Sequence, residues 1–371
     1  MKRDIKINKA VFHLSLNEPV YRFAHNPILT AKDVNKVWTD PRHKVMTVHN
    51  AGITEFYGEV LMLFRSHLRN GISVIGLAQS KNGISDWIIA EKPALVPCNE
   101  KDVFADGTDK KKLIENEAGG VEDPRISKIG KTYFITYSAY HGLKKDSVRV
   151  SLATTRDFKT FTRHGPVLDR DMRNVVIFPE KIKDKYFALM RPNDDPKKTH
   201  TGGIFKEVLL ASTTDLFANK WDVAENPIQK QEGGPSAFGD KIGPGAPPVK
   251  TRHGWLNIFH GVRSTMDGNP YVLGVALHEL DDPSKLKISN IPILFPSLAD
   301  CRVGAEDYVH VPNVVFSCGA RRLEDGTICI YYGGNDTVMN VAFSHEDILA
   351  ELCNRYPQDP LNGQASYKIF D

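Results

Sequence analysis

Cysteine is scarce in this chain, five among 371 residues (Cys98, Cys301, Cys318, Cys329 and Cys353), and no two form a CxxC pair. An odd number at irregular spacing excludes a disulfide framework and fits reduced, mostly buried thiols. No apolar run approaches the roughly 18 residues that a membrane span requires. The first residues, Met1-Lys-Arg-Asp-Ile-Lys, lack the apolar stretch of a secretory signal. An excess of one charge is missing too: 48 basic against 45 acidic residues leave +3, too balanced for a general nucleic-acid binder. No Gly-x-Ser-x-Gly elbow and no His/Cys/Asp set at metal-ligand spacing occurs. The Gly243-Pro-Gly-Ala-Pro-Pro248 run lacks the strand–turn–helix setting of a phosphate loop. These absences predict a cytoplasmic protein with no nucleic-acid or membrane partner, no metal and no organic cofactor. Any basic site must be local.

What is present is a repeat. Five segments begin on a Gly or Asp turn and run into an apolar strand: 58–65, 130–139, 184–191, 254–260 and 326–332. Each is followed by a second strand closing on an alanine, at Ala78, Ala153, Ala211, Ala276 and Ala342, spaced by 75, 58, 65 and 66 residues. A further strand opens each unit just upstream. Five matched units of short strands with turn chemistry between them predict an all-β fold, a five-bladed β-propeller with short N- and C-terminal helical extensions. Residues 1–371 then form one domain. Its blades lie at about 49–97, 119–168, 173–229, 243–294 and 311–348, plus closing terminal segments. Thr30-Ala-Lys-Asp33 reads as a capping box before a short helix, and Ser344-His-Glu-Asp347 as the cap of another. The polar segments 98–118 and 193–206 read as specificity loops. The tail 357–371 is expected to lie across the surface or to reach a neighbouring subunit of a homo-oligomer.

In such a fold equivalent repeat positions converge on one central channel. Asn50, Asp123, Pro179, Pro247 and Asn313 fall at roughly equivalent places on the opening strands. Arg65, Tyr137, Arg191, His260 and Tyr332 fall at the ends of the next strands. Singly, Arg65 or Arg191 could pair with a surface acid, and His260 could be a core histidine. Together with Arg173 and Lys181, they form a basic cup facing the carboxylate pair Glu122-Asp123. Arginines and a histidine converging on one point suit an oxyanion, above all phosphate. Tyr140 and Tyr271 are the tyrosines best placed to stack on a sugar.

The stretches Gly120-Val-Glu-Asp-Pro-Arg-Ile126, Arg173-Asn-Val-Val-Ile-Phe-Pro-Glu-Lys-Ile182, Gly254-Trp-Leu-Asn-Ile-Phe-His-Gly-Val262, Leu280-Asp-Asp-Pro-Ser-Lys285, Pro312-Asn-Val-Val-Phe316 and Tyr331-Tyr-Gly-Gly-Asn-Asp-Thr337 span nearly the whole chain in order. In combination they resemble glycoside hydrolase family 130, the inverting β-mannoside phosphorylases and related β-mannosidases. The resemblance implies phosphorolysis of a β-D-mannoside, with inorganic phosphate as co-substrate, to α-D-mannose 1-phosphate. It implies Asp123 as general acid, acting through the 3-hydroxyl of the mannosyl unit. Phosphate would be held by Arg173, Arg191, His260 and Tyr271, with Lys181 from the basic cup. Asn50, Arg65 and Asp336 would hold the mannosyl unit, with Glu122 and Arg125 beside them. The alternatives are an inverting β-mannosidase, which needs a second carboxylate to activate water, and a non-catalytic sugar-binding propeller.

Overall fold

The structure, a computed structural model, describes residues 1–144, 147–193, 207–230, 236–266 and 268–359. The described residues are mostly β, with three α-helices among them: α1 (Ala31–Val37), α2 (Lys110–Glu117) and α3 (Glu346–Arg355). The five repeat units are five antiparallel meanders taken in chain order. Unit 1 pairs His49–Phe56, Glu59–His67 and Ser73–Ser80, and unit 2 pairs Gly120–Ile129, Thr132–Tyr140 and Val148–Thr155. Unit 3 runs through Met172–Ile177, Tyr186–Pro192 and Glu207–Thr213. Unit 4 runs through Lys241–Pro244, Gly254–Val262 and Tyr271–His278, and unit 5 through Val315–Arg322, Thr327–Gly334 and Val338–His345. A single parallel bridge, Ser73 to Gly120, joins units 1 and 2 into one sheet.

The middle strands read as continuous apolar runs because both faces are covered by neighbouring units. Gly254–Val262 and Thr327–Gly334 are buried at every position. Close approach is made by glycine placed opposite an aromatic ring. Phe64 pairs with Gly76 and Phe259 with Gly274. A Cβ on either glycine would lie within 2.4 Å of that ring.

The opening strands lie side by side. Gly319 of unit 5 abuts Ala51 and Ile53 of unit 1, and Gly52 abuts Pro124 of unit 2. Ser127 of unit 2 donates to the Ile177 carbonyl of unit 3, and Gly245 of unit 4 abuts the Ser317 carbonyl of unit 5. Among the described residues the sheets do not join into one closed sheet.

The ends of the chain complete the last units. Tyr21–Arg22 adds a strand to unit 5, and Pro357–Gln358 adds one to unit 4. An N-terminal hairpin, Lys2–Ile7 with Ala10–Ser15, was not legible as strands because its charges mask the alternation; Ile5, Ile7 and Leu14 are its buried residues. Thr30 and Asp33 form the expected capping box on α1. The cap of α3 is His345, whose side chain accepts from Asp347 N, rather than Ser344, which donates to the Pro19 carbonyl. Part of the segment read as a polar loop, 98–118, folds as α2, capped by Asp109. The helix is pinned by Glu117, fully buried with Tyr137 and Arg163. The loop residues 194–206 and the tail residues 360–371 lie outside the described residues.

Arg22 locks the N-terminal strand. Its Nε donates to Asp300 Oδ1 at 2.8 Å, and Tyr332 donates to the same oxygen at 2.7 Å, while Asp300 has no exposure. Removing the cation leaves a buried carboxylate without its counter-charge. Arg22→Ala is expected to cost about 3 kcal/mol, read as a lowered thermal midpoint. An unchanged midpoint would show that this strand does not fasten unit 5.

Candidate active site

Three opening strands carry the same irregularity at the same place. The pairing register slips between His49 and Gly52, between residues 122 and 125 opposite Tyr137, and between Arg173 and Val176. Within each slip one residue takes a left-handed backbone: Asn50 (φ 48), Asp123 (φ 51) and Asn174 (φ 56). Asn and Asp tolerate this region better than other side-chain-bearing residues. Each bulge turns a polar side chain to the end of the sheet instead of a sheet face. Asp336 (φ 47) reaches the same place from the tight turn after Thr327–Gly334.

These four side chains line one cavity of about 180 Å³, together with Arg65, Arg173, Arg191, Lys241, His260 and Tyr271. One wall is a carboxylate cluster gathered around a single arginine. Arg65 Nη1 lies 3.0 Å from Asp123 Oδ1, and Nη2 lies 2.8 Å from Glu122 Oε1. Asn50 Nδ2 donates to Asp123 Oδ1 at 3.0 Å and reaches Asp336 Oδ1 at 3.4 Å. Burial would raise the Glu122 pKa, but Arg65, with His67 and Ser73, holds it down to about 2. Burial pushes Asp336 up to about 6, against the pull of Arg65 and with the help of the Asp123 charge.

The facing wall is cationic and unneutralised. Among the described residues no carboxylate lies within ion-pair distance of Arg173, Arg191 or Lys241. Arg191 is 2% exposed; its Nη2 donates to Asn193 at 3.2 Å, and among the described residues its Nε and Nη1 have no partner. Burial, and then the neighbouring Arg173, lowers the Arg191 pKa to about 10. Lys241 donates to the Tyr271 hydroxyl at 2.7 Å, and burial next to Arg191 and Arg173 pushes its pKa well down. Burial, and then Arg191, Lys241 and Arg125, push the His260 pKa well down, so its imidazole is neutral. With His260 Nε2 accepting from Asn174 Nδ2 (3.4 Å), the proton sits on Nδ1, which has no partner. Space for this wall depends on Gly243, where a Cβ would lie 2.7 Å from His260 and 2.8 Å from Arg191.

The sequence-derived candidates divide cleanly. Asn50, Arg65, Asp123, Arg173, Arg191, His260, Tyr271 and Asp336 share the cavity. Glu122 stands behind Arg65 and does not line it. Arg125 does not line it either: it is a buried clamp donating to the Gly245 carbonyl (2.7 Å), the Asp123 carbonyl (2.8 Å) and Asn174 Oδ1 (2.9 Å). It fixes the bulge that carries Asp123. Lys181 is exposed over the Tyr186 ring, outside the cavity, because its strand has already left the cup. Tyr137 and Tyr332 bond to Glu117 and Asp300 instead of facing the cavity. Tyr140 carries Arg173 over its ring at 5.2 Å. Asn174, not Pro179, is the third-unit counterpart of Asn50, and Asn313 is exposed. Lys241 was missed because the fourth unit was started at Gly243; its position on the opening strand, like that of Arg173, was the available signal. Among the described residues no group of three or more His, Cys, Asp or Glu is placed to hold a metal ion, and no helix is long and apolar enough to cross a membrane.

A carboxylate wall held by Arg65 and Asn50 thus faces bare cations across one cavity, an arrangement with the chemistry for hydroxyl groups on one side and an oxyanion on the other. The family model described as beta-1,4-mannooligosaccharide phosphorylase matches residues 20–355, and the chain belongs to glycoside hydrolase family 130, a family of enzymes. It is 34% identical over 330 residues to a 1,2-beta-oligomannan phosphorylase of Thermoanaerobacter sp., covering 86% of this chain and 95% of that one. It is 31% identical to a 4-O-beta-D-mannosyl-D-glucose phosphorylase of Bacteroides fragilis, over 95% and 87% of the two chains. The solved β-1,2-mannobiose phosphorylase of Listeria innocua, in complex with β-1,2-mannobiose, superposes with a TM-score of 0.73 at 27% identity, over 91% of this chain and 99% of that one.

The lowered Lys241 pKa has a signed consequence. A lysine loses its charge as pH rises through its pKa, so the cup weakens at a pH where an exposed lysine, with pKa near ~10.4, is still charged. Sulfate, which stays doubly charged throughout, is expected to lose affinity as pH rises, with the loss setting in below the pH at which an exposed lysine titrates, and Lys241→Arg is expected to move that loss to higher pH. Calorimetric titration reads both. A flat profile in the native protein would contradict the assignment.

Proposed function

We propose that this enzyme phosphorolyses a β-D-mannoside with inversion, giving α-D-mannose 1-phosphate and a shortened sugar, and that its five meanders are the blades of one five-bladed β-propeller domain. Inorganic phosphate is the co-substrate, and no metal or organic cofactor takes part. The observation that carries this reading is the bare cationic wall of Arg173, Arg191 and Lys241 across one small cavity from Asp123. A propeller has separate sheets around an axis, and ladders joined only by the one Ser73–Gly120 bridge between units 1 and 2 are compatible with it. The five free cysteines fit a cytoplasmic setting.

In the proposed reaction a phosphate oxygen, held by Arg173, Arg191, Lys241 and the His260 Nδ1–H, attacks the anomeric carbon as the glycosidic C–O bond breaks. Asp123 gives its proton to the leaving oxygen, by way of the mannosyl 3-hydroxyl. Hydrogen phosphate loses one proton on esterification and the leaving alcohol gains one, so the acid is restored. Asn50, Arg65 and Asp336 hold the mannosyl unit. Phosphate is already anionic and needs no general base.

An inverting hydrolase needs a carboxylate across the ring from the acid, roughly 6.5–9.5 Å away, to activate water. The cavity's other carboxylate, Asp336, instead shares the Asn50 amide with Asp123 and lies on the acid's own side. The relatives' named substrates share a β-mannosyl unit and differ in what it is attached to. The shared unit is therefore what is proposed here.

Cleavage of β-mannobiose and of mannosyl-glucose is expected to require phosphate, and Asp123→Asn to slow it by about 10²–10⁴-fold with the fold intact. Equal rates in phosphate-free buffer would make the protein a mannosidase. A fully active Asp123→Asn would remove the acid assignment.

A further inference from the structure

The cations around the cavity rest on aromatic rings where an ordinary ion pair would use a carboxylate. Arg173 stands directly opposite Arg191 in the ladder of unit 3, and like charges placed so repel. Its seat is the Tyr140 ring, with the guanidinium carbon 5.2 Å from the centroid. Lys241 over Tyr271 at 5.0 Å repeats the arrangement, and so does the buried Arg125 over Phe316 at 5.8 Å.

A ring attracts a cation through the negative face of its quadrupole while carrying no net charge. It therefore fixes a guanidinium and leaves both the charge and the N–H edge to an incoming anion, whereas a carboxylate would take both. Tyr140 is placed for this role by the sheet itself. It ends the strand Thr132–Tyr140, paired to Gly120 on one side and to Val148 on the other. Its carbonyl accepts from Gly119 N at 2.8 Å, and a Cβ on Gly119 would lie 3.2 Å from the Cβ of Tyr140. The opposite wall is close as well, for Ser138, two residues earlier, faces Glu122 across the ladder. Burial, and then the Glu122 charge, raise the Tyr140 pKa against the pull of Arg173, so the phenol stays neutral. Tyr140 itself does not line the cavity.

Resting on the reading of the cavity given above, we infer that Tyr140 is a positioning residue for the oxyanion: its ring seats Arg173 in the cup while leaving that guanidinium unneutralised, and it is not a platform for the sugar. Calorimetric titration of the whole protein with sulfate tests this. Tyr140→Phe, which keeps the ring, is expected to bind sulfate within about twofold of the native protein, and Tyr140→Leu about tenfold more weakly. Phenylalanines carrying more and more fluorine at position 140 keep the ring's outline but weaken its negative face, so sulfate affinity should fall step by step along that series. In an Arg173→Ala background the difference between Tyr140→Phe and Tyr140→Leu should vanish. Adding Tyr140→Leu to the Asp123→Asn protein, in which turnover is slow, should change β-mannobiose affinity by less than about twofold. A flat fluorine series, a Tyr140→Phe as weak as Tyr140→Leu, a difference that survives in Arg173→Ala, or a loss for mannobiose as large as for sulfate would overturn the proposal. A native protein that binds neither sulfate nor phosphate would instead overturn the reading of the cavity on which it rests.

Discussion

Three cations held in one buried cavity without a carboxylate between them is the constraint on which the rest of this site depends. Burying like charges together is costly, and proteins ordinarily relieve it with a paired acid or a lowered pKa. Here acids are close at hand, yet Arg65 and Asn50 hold Asp123, Glu122 and Asp336 on the opposite wall. The relief comes instead as lowered pKa values at Arg191, Lys241 and His260. Such a wall is a poor way to stabilise a fold and a good way to receive an anion. The unpartnered Nε and Nη1 of Arg191 are the clearest sign of the unmet demand.

Keeping the two walls apart is a problem of backbone geometry, and the bulges solve it. In each of the first three units one left-handed residue ends the regular pairing and sends its side chain into the cavity. Arg125 then ties three opening strands together, from Asp123 and Asn174 to the carbonyl of Gly245. The position of the acid is thereby coupled to the strand leading from Lys241, the cation nearest Tyr271. Gly243 completes the arrangement by leaving room for His260 and Arg191 to meet.

Most of this was legible in the sequence because a repeat converts spacing into proximity. Matching strand ends brought Arg65, Arg191 and His260 together before any coordinates, and all three line the cavity. The method failed where burial alone cannot say which neighbour a polar group will find. Tyr137 and Tyr332 sit at the same repeat position, but each found a buried carboxylate outside the cavity. Arg125, read as a sugar ligand, is consumed by backbone carbonyls, and Lys181 points to solvent. Lys241 and Asn174 escaped because the unit boundary was drawn two residues late in one case and the equivalent opening-strand position was given to Pro179 in the other. Helix α2 was hidden by its lysines and has only Leu113, Asn116 and Glu117 buried.

The central claim is that the bare cationic wall delivers phosphate, not water, to the anomeric carbon. Following the cleavage of mannosyl-glucose with unlabelled phosphate in ¹⁸O-enriched water, and weighing the released sugars, tests it most directly. The account requires mannose 1-phosphate, without ¹⁸O on the anomeric carbon, in step with glucose. Free mannose in step with glucose, with no mannose 1-phosphate, would contradict it.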